Sequence, residues 1–316
     1  MNQTAQIINR VLPIIFLLFL GYQLRRRQWI SENTIDELRS IVVNFALPSV
    51  LFLAFVQIEL KPAYLLIFVI VFILMLIMFG LGNWVGRRLR MRHIYFPFLM
   101  AGFEYGMLGV SLFGSAYGLE KIGYIAVIDL GHEIFIWFVF LAFLLMRRDG
   151  HQSGGQLLRS FFRSPVIVAI LLGLALNLMG VVDILFDFPV AGGLFLTFQF
   201  LGDLTVPAML LIIGYSLRMD SFGVREALPV IMMRLAIIVP VALVLGNFFI
   251  DKLLMLESAF RTALFTLFIL PPPFIIPLYI RSEEIDERGY VNNTLALHTV
   301  ISVLVFIVFF ILNPTL

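Results

Sequence analysis

Ionisable side chains stand inside stretches of this sequence that are otherwise apolar. Glu104 lies in the middle of a long hydrophobic run, with Gly102, Gly106 and Gly109 around it. A charge at the centre of a bilayer costs at least about 2.5 kcal/mol, so an acidic residue at such depth indicates a functional group. A carboxylate that is neutral in one state and charged in another is suited to proton coupling. The alternative is a structural carboxyl group, protonated or paired, among glycines that serve close helix packing.

A second group of ionisable residues follows at helical spacing. Asp129, His132 and Glu133 are separated by three and four positions and therefore share one face of a helix. Such a face could relay protons or hold a hydrated cation such as sodium, and it could equally be a polar network that satisfies itself between two helices. Together with Glu104, these three residues are the predicted ion-coupling set.

Three further polar residues in apolar runs have simpler interpretations. Asp203 and Arg234 stand nearer the ends of their runs, where snorkelling or pairing explains them. His298 lies beside threonines and is interpreted as structural.

A run of prolines interrupts another hydrophobic stretch. Pro271, Pro272 and Pro273 are consecutive, and Pro277 follows them. Three successive prolines remove three amide donors, so no α-helix continues through them, although a simple kink without a site is an alternative. Backbone groups left without partners cannot face lipid and must line a cavity or the protein interior. The predicted substrate-binding residues lie at the two interrupted runs or beside a proline, and they are Asn44, Glu104, Tyr105, Gly106, Pro271, Pro272 and Pro273.

Asn44 is the weakest of these predictions. It precedes Pro48 by four positions, so its amide could instead bond a carbonyl that the proline leaves free.

The composition determines the class of protein that holds these residues. Of 316 residues, 61% are hydrophobic and 13% are charged, against about 45–50% and 25% in soluble domains. Ten apolar runs approach the length of about 20 residues that spans a bilayer. They lie near 8–24, 38–56, 63–83, 94–117, 122–146, 165–181, 190–217, 227–249, 259–280 and 290–312. The sequence therefore predicts an all-α membrane protein with ten transmembrane helices, and the absence of cysteine excludes disulfides and thiolate metal sites.

The distribution of basic residues predicts the orientation of these helices. Sixteen of the 22 lysines and arginines fall between an odd-numbered run and the next even-numbered one, and five fall on the opposite side. Basic loops stay in the cytoplasm, so both chain ends are predicted to be non-cytoplasmic in a multi-pass protein of the cell (inner) membrane. A net charge of +2, spread over short loops, predicts no nucleic-acid partner.

The two halves of the sequence share an ordered set of motifs. Pro13 and Gly21 are eight residues apart, as are Pro165 and Gly173. Further matches pair the segments around Pro48 and Pro207, around Gly82-Asn83 and Gly246-Asn247, and around His132 and His298, with offsets between the halves that rise from 152 to 166. We interpret residues 1–146 and 165–316 as five-helix repeats joined by a cytoplasmic loop at 147–164. Five is an odd number of crossings, so the second repeat must be inverted, which is typical of alternating-access carriers.

We find no enzyme motif in this sequence. There is no His-Glu-x-x-His zinc motif and no glycine-rich phosphate loop with lysine. Leu201-Gly202-Asp203 lacks the first glycine of an intramembrane aspartyl protease signature, because Phe200 precedes it. The sequence therefore predicts a protein that is not an enzyme, and it predicts no cofactor and no metal.

Several motifs, in their order along the chain, carry a resemblance to a known family. They are Val11-Leu12-Pro13 to Arg27, Asn44 to Pro48, Ser164-Pro165 to Gly173, Pro207 to Leu217, and Leu270-Pro271-Pro272-Pro273 with Pro277-Leu278-Tyr279. In these features the chain resembles the auxin efflux carrier family over nearly its whole length. The resemblance implies a fold like that of sodium/proton antiporters and bile-acid symporters, with broken helices 4 and 9 that cross. It also implies a small organic anion, such as a dicarboxylate, as the substrate.

The chain departs from the family pattern at the first crossing. Glu104 and then Gly109-Val110-Ser111 stand where the family has an asparagine followed by Gly-x-Pro. An ionised carboxylate there would repel an anion, so either Glu104 is protonated when the substrate binds or the substrate is not a simple anion. The sequence predicts a secondary transporter for a small carboxylate, with proton or sodium coupling, within membrane lipid. A cation/proton antiporter, a transporter-like receptor and assembly as a homodimer remain open alternatives.

Overall fold

The chain is helical almost throughout. A computed structural model describes residues 3–149, 154–187, 189–217, 221–281 and 283–316, and these residues form helices and connecting segments without any strand. In chain order the helices are α1 (Gln3–Arg26), α2 (Glu32–Gln57), α3 (Ala63–Arg88), α4 (Phe96–Met100), α5 (residues 105–117), α6 (Leu119–Arg148), α7 (Gly154–Arg163), α8 (Pro165–Met179), α9 (Val182–Asp187), α10 (Pro189–Ser216), α11 (residues 221–253), α12 (Ser258–Phe268), α13 (Ile276–Tyr279) and α14 (Ile285–Leu312).

Length and apolarity make this an integral membrane protein. Eight stretches of the described chain are long and apolar enough to cross a bilayer, with α4 and α5 counted together as one of them. The predicted runs at 165–181 and 259–280 contain shorter helices, α8 with 15 residues and α12 with 11. The all-helical membrane class predicted from composition is confirmed.

The helices pack in two groups. In the first group, α1 packs against α10, and α2 packs against α8 and α10. In the second group, α3 packs against α6, α11 against α14, and α12 against both α6 and α11. The two groups meet where α5 contacts α1 and α10 and where α2 contacts α6.

Two glycines allow close approach within the first group. A Cβ atom added to Gly21 of α1 would lie 2.1 Å from the carbonyl oxygen of Leu211 in α10. A Cβ atom added to Gly173 of α8 would lie 2.8 Å from the carbonyl oxygen of Phe52 in α2. Both distances are below any real non-bonded contact, so these helix pairs touch backbone to backbone, as small residues allow in membrane helices.

Contacts between distant segments define the two ends of the molecule. At one end, which we call the arginine-rich end, Arg25 donates to the carbonyl of Tyr215 (3.1 Å), Arg39 donates to Ser216 (3.1 Å), and Arg281 donates to the carbonyl of Arg148 (2.9 Å). At the opposite end, Arg10 donates to the carbonyl of Ala116, and the hydroxyl of Tyr117 donates to the carbonyl of Asn313 (2.9 Å). Arg10 and Asn313 therefore lie at the same end, opposite the arginine-rich end.

Candidate functional site

The first interruption separates α4 from α5. Helix α4 ends at Met100, and the chain is non-helical through residues 101–104 before α5 begins. Gly102 has a φ of +72°, and a Cβ atom at this position would lie 2.7 Å from Cγ of Pro273. Only glycine combines this backbone conformation with so close a neighbour.

The second interruption separates α12 from α13. Helix α12 ends at Phe268, residues 269–275 are non-helical, and a short 3₁₀ turn begins at Ile276. The three prolines lie within this segment, as their lack of amide donors requires. The two interruptions face each other, because the rings of Phe103 and Phe268 stack with their centroids 5.0 Å apart.

Glu104 connects the two interruptions through both its backbone and its side chain. Its amide donates to the carbonyl of Pro271 (2.8 Å), and its carboxylate accepts from the amides of Phe274 (2.6 Å) and Met107 (3.2 Å). Met107 lies in the first turn of α5, where amides have no partner within the helix and the helix dipole favours a negative charge. Backbone amides of the two interrupted runs, where the substrate was predicted to bind, are therefore occupied by a carboxylate of the chain itself.

Arg234, in α11, contacts the place where the two interruptions meet, which we call the crossing. Its side chain is 1% exposed, and its guanidinium donates to the carbonyls of Leu99 (3.2 Å), Gly102 and Leu270 (3.3 Å). It also lies over the ring of Phe103, with 5.5 Å from Cζ to the ring centroid. The interpretation of Arg234 as a snorkelling or paired residue is wrong: a planar fork of donors satisfies carbonyls that both interruptions leave without helical partners.

The predicted acidic face of α6 lies directly behind the first interruption. Asp129 and His132 are buried, and ligand atoms of Asp129, His132 and Glu133 all lie within 4.8 Å of one another. His132 Nε2 accepts from the amide of Phe103 (2.8 Å), and Nδ1 lies 2.8 Å from Oδ1 of Asp129. The amide fixes Nε2 as an acceptor, so we assign the proton of a neutral ring to Nδ1.

This arrangement connects the acidic face to the crossing and limits what His132 can do. A hydrogen-bonded chain leads from Asp129 through the imidazole to Phe103, the residue before Glu104. Glu133 accepts from Nε1 of Trp137 (2.9 Å). Both nitrogens of His132 are engaged, so a cation at this place would be held by the carboxylates.

Two polar groups near these residues have no protein partner within the described chain. The hydroxyl of buried Tyr105 makes no hydrogen bond, and neither nitrogen of fully buried His298 does. Buried polar atoms without partners in a native fold call for water, an ion or a solute. Tyr105 was predicted as a site residue, whereas His298 was interpreted as structural.

Asn44 and Gly106 contribute less to the crossing. The side-chain amide of Asn44 donates to the backbone oxygen (2.8 Å) and the hydroxyl (3.1 Å) of Ser40, one turn earlier in α2. No hydrogen bond found in the described residues links Asn44 to either interruption. A Cβ atom at Gly106 would lie 3.5 Å from Leu47, an ordinary contact, so this glycine is not required by crowding.

A cavity of about 420 Å³ opens between the two helix groups near the Arg10 end. The first group contributes Gln57, Gln199 and Gly202, and the second group contributes Gly123 and Tyr124. Its charged lining residues, four acidic and one basic, are Glu59, Glu120, Asp203, Glu257 and Lys121. We call it the outer cavity; an anion entering it would meet a negative lining.

Lys61 lies beside this cavity and offsets part of its charge. Its amine lies 3.4 Å from Glu59 and 3.7 Å from Glu257. The hydrogen bond that Lys61 donates to Glu59, followed by the charge of that carboxylate, raises the pKa of Lys61. Tyr124 donates to Glu257 (2.5 Å), so Glu257 connects α6 to the segment before α12.

The chain matches a known protein family. A family model described as membrane transport protein matches residues 6–310 of the chain. The comparison with curated proteins returned no match. The family match spans both interruptions and all but the first residues of α1 and the last residues of α14.

Proposed function

This chain belongs to the membrane transport protein family, the auxin efflux carriers that its motifs resemble, and we propose that it is a secondary transporter that moves a small organic anion by alternating access. In this proposal the site is the crossing of the two interrupted segments. Glu104, Tyr105, Gly106 and Pro271–Pro273 line it. The protein lies in the cell membrane with its arginine-rich end in the cytoplasm.

The observation that carries this proposal is the double engagement of Glu104. One carboxylate accepts amides from both interrupted segments, so its charge holds the two segments together. Protonation removes the charge that these amides stabilise. A substrate carboxylate can then compete for the amides of Met107 and Phe274, so that Glu104 stands in for the substrate when the site is empty. Binding of the anion is thereby coupled to binding of a proton.

The chain of groups behind the crossing gives the proton a route. Asp129, His132 and Glu133 lie in α6, and the Phe103–His132 hydrogen bond brings their network to the residue before Glu104. The same carboxylates would serve if the coupling ion were sodium. Because these residues lie in the second helix group, an ion that they bind would be carried with that group in this proposal.

The contacts within the first helix group support an inverted repeat. Gly21 and Gly173 are matched positions of the proposed repeats, separated by 152 residues. The carbonyls that they touch, Phe52 and Leu211, are separated by 159 residues, the offset of the Pro48 and Pro207 motifs. The contact of α1 with α10 thus has a counterpart in the contact of α8 with α2. The proposed repeats are 1–146 and 165–316, and the loop 147–164 contains α7 and, at 150–153, residues outside the described chain.

The outer cavity supports alternating access. It lies between the two helix groups and opens at the end opposite the arginines. Rocking of one group against the other would close it and open a path on the other side, as inverted repeats allow.

A second candidate function is a cation/proton antiporter on the same architecture. The four carboxylates of the outer cavity favour it, because they would concentrate cations and repel anions at the entrance. This candidate predicts sodium or proton flux with no organic substrate. The anion carrier predicts proton flux only when its anion is present.

Reconstitution of Glu104→Gln in liposomes tests the role of Glu104. The amide retains an acceptor for one backbone N–H but cannot carry a proton. We expect counterflow of the substrate to persist and net, pH-driven uptake to be lost. The substrate is first identified from a panel of organic acids by thermal shift of the purified wild-type protein.

Glu37→Gln, at an exposed position of α2, is the matched control and should behave as wild type. Wild-type counterflow and net flux in the Glu104→Gln variant across pH would contradict the coupling role. Cation-driven proton flux in wild-type vesicles without any organic acid would favour the antiporter.

A further inference from the structure

A second concave surface lies at the arginine-rich end, distant from the outer cavity. This groove, of about 550 Å³, lies where α6, α13 and α14 meet. Its lining combines three arginines and one acidic residue with three apolar residues, and these are Arg148, Arg281, Arg288, Glu283, Pro277, Leu278 and Ile280. We call it the arginine groove.

Two arginines of this groove, Arg281 and Arg288, donate to backbone carbonyls that fix their positions. Arg281 donates from Nε (2.9 Å) and Nη2 (2.5 Å) to the carbonyl of Arg148, at the last turn of α6. Arg288 donates from Nη2 to the carbonyl of Ile280 (3.2 Å). The guanidinium of Arg148 lies over the ring of Tyr279, with 5.2 Å from Cζ to the centroid. The carbonyls that fix Arg281 and Arg288 are neutral and do not cancel the charge of these two side chains.

The groove therefore presents the positive charge of Arg281 and Arg288 and one N–H donor without a partner. Within the described part of the chain, neither Arg281 nor Arg288 forms an ion pair with a carboxylate. Nε of Arg288 is buried and has no partner within the described residues. Planar guanidinium groups whose positions are already fixed are well suited to bind phosphate oxygens, because little side-chain freedom is lost on binding.

One wall of the groove indicates where the phosphate comes from. Leu278 is 73% exposed, and partly exposed Pro277 continues the apolar surface beside it. A soluble phosphate gains nothing from this wall, whereas a phospholipid places its acyl chains against it. Basic pockets between membrane helices, at the level where the helices leave the bilayer, bind anionic lipid headgroups.

We propose that the arginine groove binds the phosphate headgroup of an anionic phospholipid from the leaflet at the arginine-rich end, with the acyl chains along Leu278. The bound lipid would contact α13, the short turn that follows the proline interruption. It would hold this end of the second interrupted segment against α6 and α14.

Lipid binding to the purified full-length protein tests the proposal without any transport measurement. Delipidated protein is titrated with phosphatidylglycerol or phosphatidylcholine, and bound lipid is counted by native mass spectrometry. We expect wild type to retain phosphatidylglycerol preferentially. Arg281→Gln and Arg288→Gln should each weaken its binding about fivefold. Arg88→Gln, at an exposed arginine in the last turn of α3, is the matched control and should leave it unchanged.

Two further binding measurements identify the ligand, and a second variant controls for misfolding. Leu278→Ser should weaken phosphatidylglycerol binding, and millimolar inorganic phosphate should not displace the lipid. Arg288→Gln removes one carbonyl contact only, so it remains informative if Arg281→Gln loses its monodisperse elution. Equal retention of the two lipids, unchanged binding in Arg288→Gln, or full displacement by inorganic phosphate would each overturn the proposal and leave the transport proposal untouched.

Discussion

Gly102 shows how strongly one residue is constrained by the crossing. Replacement by alanine would place a methyl group within 2.7 Å of Pro273 and force an L residue to keep a φ of +72°. We therefore expect Gly102→Ala to lower stability by at least about 1–2 kcal/mol and to abolish transport. Thermal unfolding of detergent-purified protein and uptake in liposomes measure the two effects.

Gly106→Ala is the matched control for that substitution. It lies four residues further along, and its added methyl group would make an ordinary contact with Leu47. We expect wild-type stability, which is the only property that this control tests, because Gly106 itself lines the proposed site. If the two variants behave alike, the close approach of Gly102 to Pro273 does not hold in the working protein.

Arg234 holds the two interruptions together by donating to carbonyls of both. Its removal leaves three buried carbonyls without donors, and each unsatisfied group costs about 1–3 kcal/mol. Arg234→Lys retains the charge, but a single ammonium cannot reproduce the fork that reaches Leu99, Gly102 and Leu270. We expect both Arg234→Gln and Arg234→Lys to unfold at clearly lower temperature than wild type.

The control for Arg234 is an arginine at the surface. Arg261 pairs with Asp251 and is 44% exposed, so Arg261→Gln should change the unfolding temperature little. Wild-type stability of Arg234→Lys would show that charge alone matters at the crossing. That outcome would contradict the role assigned to the three carbonyls.

Residue types in the sequence pointed to Glu104 and to the prolines. They did not point to Arg234, or to the hydrogen bonds that the Glu104 carboxylate accepts from both interrupted segments. A glycine-flanked acid and a triple proline have direct physical consequences at their own positions. Arg234 was misjudged because its run was taken to begin at 227, whereas α11 begins at Ser221. Arg234 is thirteen positions after Ser221, so it lies about 20 Å along the helix. Which amides a carboxylate reaches depends on the partner segment, 170 positions away, and local sequence does not contain that information.

Helices α1 and α8 each contact a neighbouring helix backbone through one glycine. Gly21→Ala and Gly173→Ala would each force a backbone contact apart, at 2.1 Å and 2.8 Å respectively. We expect both variants to be destabilised, because a carbonyl of a packed helix cannot move aside as a flexible side chain can. The unfolding temperature in detergent, followed by size-exclusion fluorescence, measures the effect.

Gly80→Ala is the control within the same fold. Gly80 lies in α3 with nothing near its added methyl group, and alanine favours helix, so this variant should equal or exceed wild type. Loss of stability in only one of Gly21→Ala and Gly173→Ala would weaken the proposed equivalence of the two repeats.

The extents of the elements followed from apolarity, with errors that have physical causes. The run at 165–181 corresponds to α8, which begins at Pro165 because proline is tolerated in the first turn. The run at 259–280 is one apolar stretch but not one helix, because hydropathy does not register the lost amide donors of Pro271–Pro273. Helix α14 begins at Ile285 rather than at 290, since Asp286 and Glu287 extend its polar first turn.

The division into two helix groups belongs to the whole molecule and was not predicted from the sequence. It depends on which helix faces pack together, and nearly every face of this chain is apolar. The outer cavity has the same origin: Glu59, Glu120, Asp203 and Glu257 come from four separate parts of the chain and meet only in the fold. Charge counting predicted which loops share an end, and the contacts of Arg25, Arg39 and Arg281 agree with that grouping.

Movement of the two groups can be measured because the chain contains no cysteine. Gln199→Cys places one thiol in the outer cavity, on α10 of the first helix group. We expect a membrane-impermeant maleimide added from outside to label it, and a saturating transported anion to slow labelling at least severalfold by favouring the state in which the cavity is closed. Glu283→Cys at the arginine-rich end should stay unlabelled until the vesicles are opened. Labelling of Gln199→Cys at the same rate with and without anion would mean that this cavity does not take part in the transport cycle, and labelling of Glu283→Cys in sealed vesicles would reverse the proposed orientation.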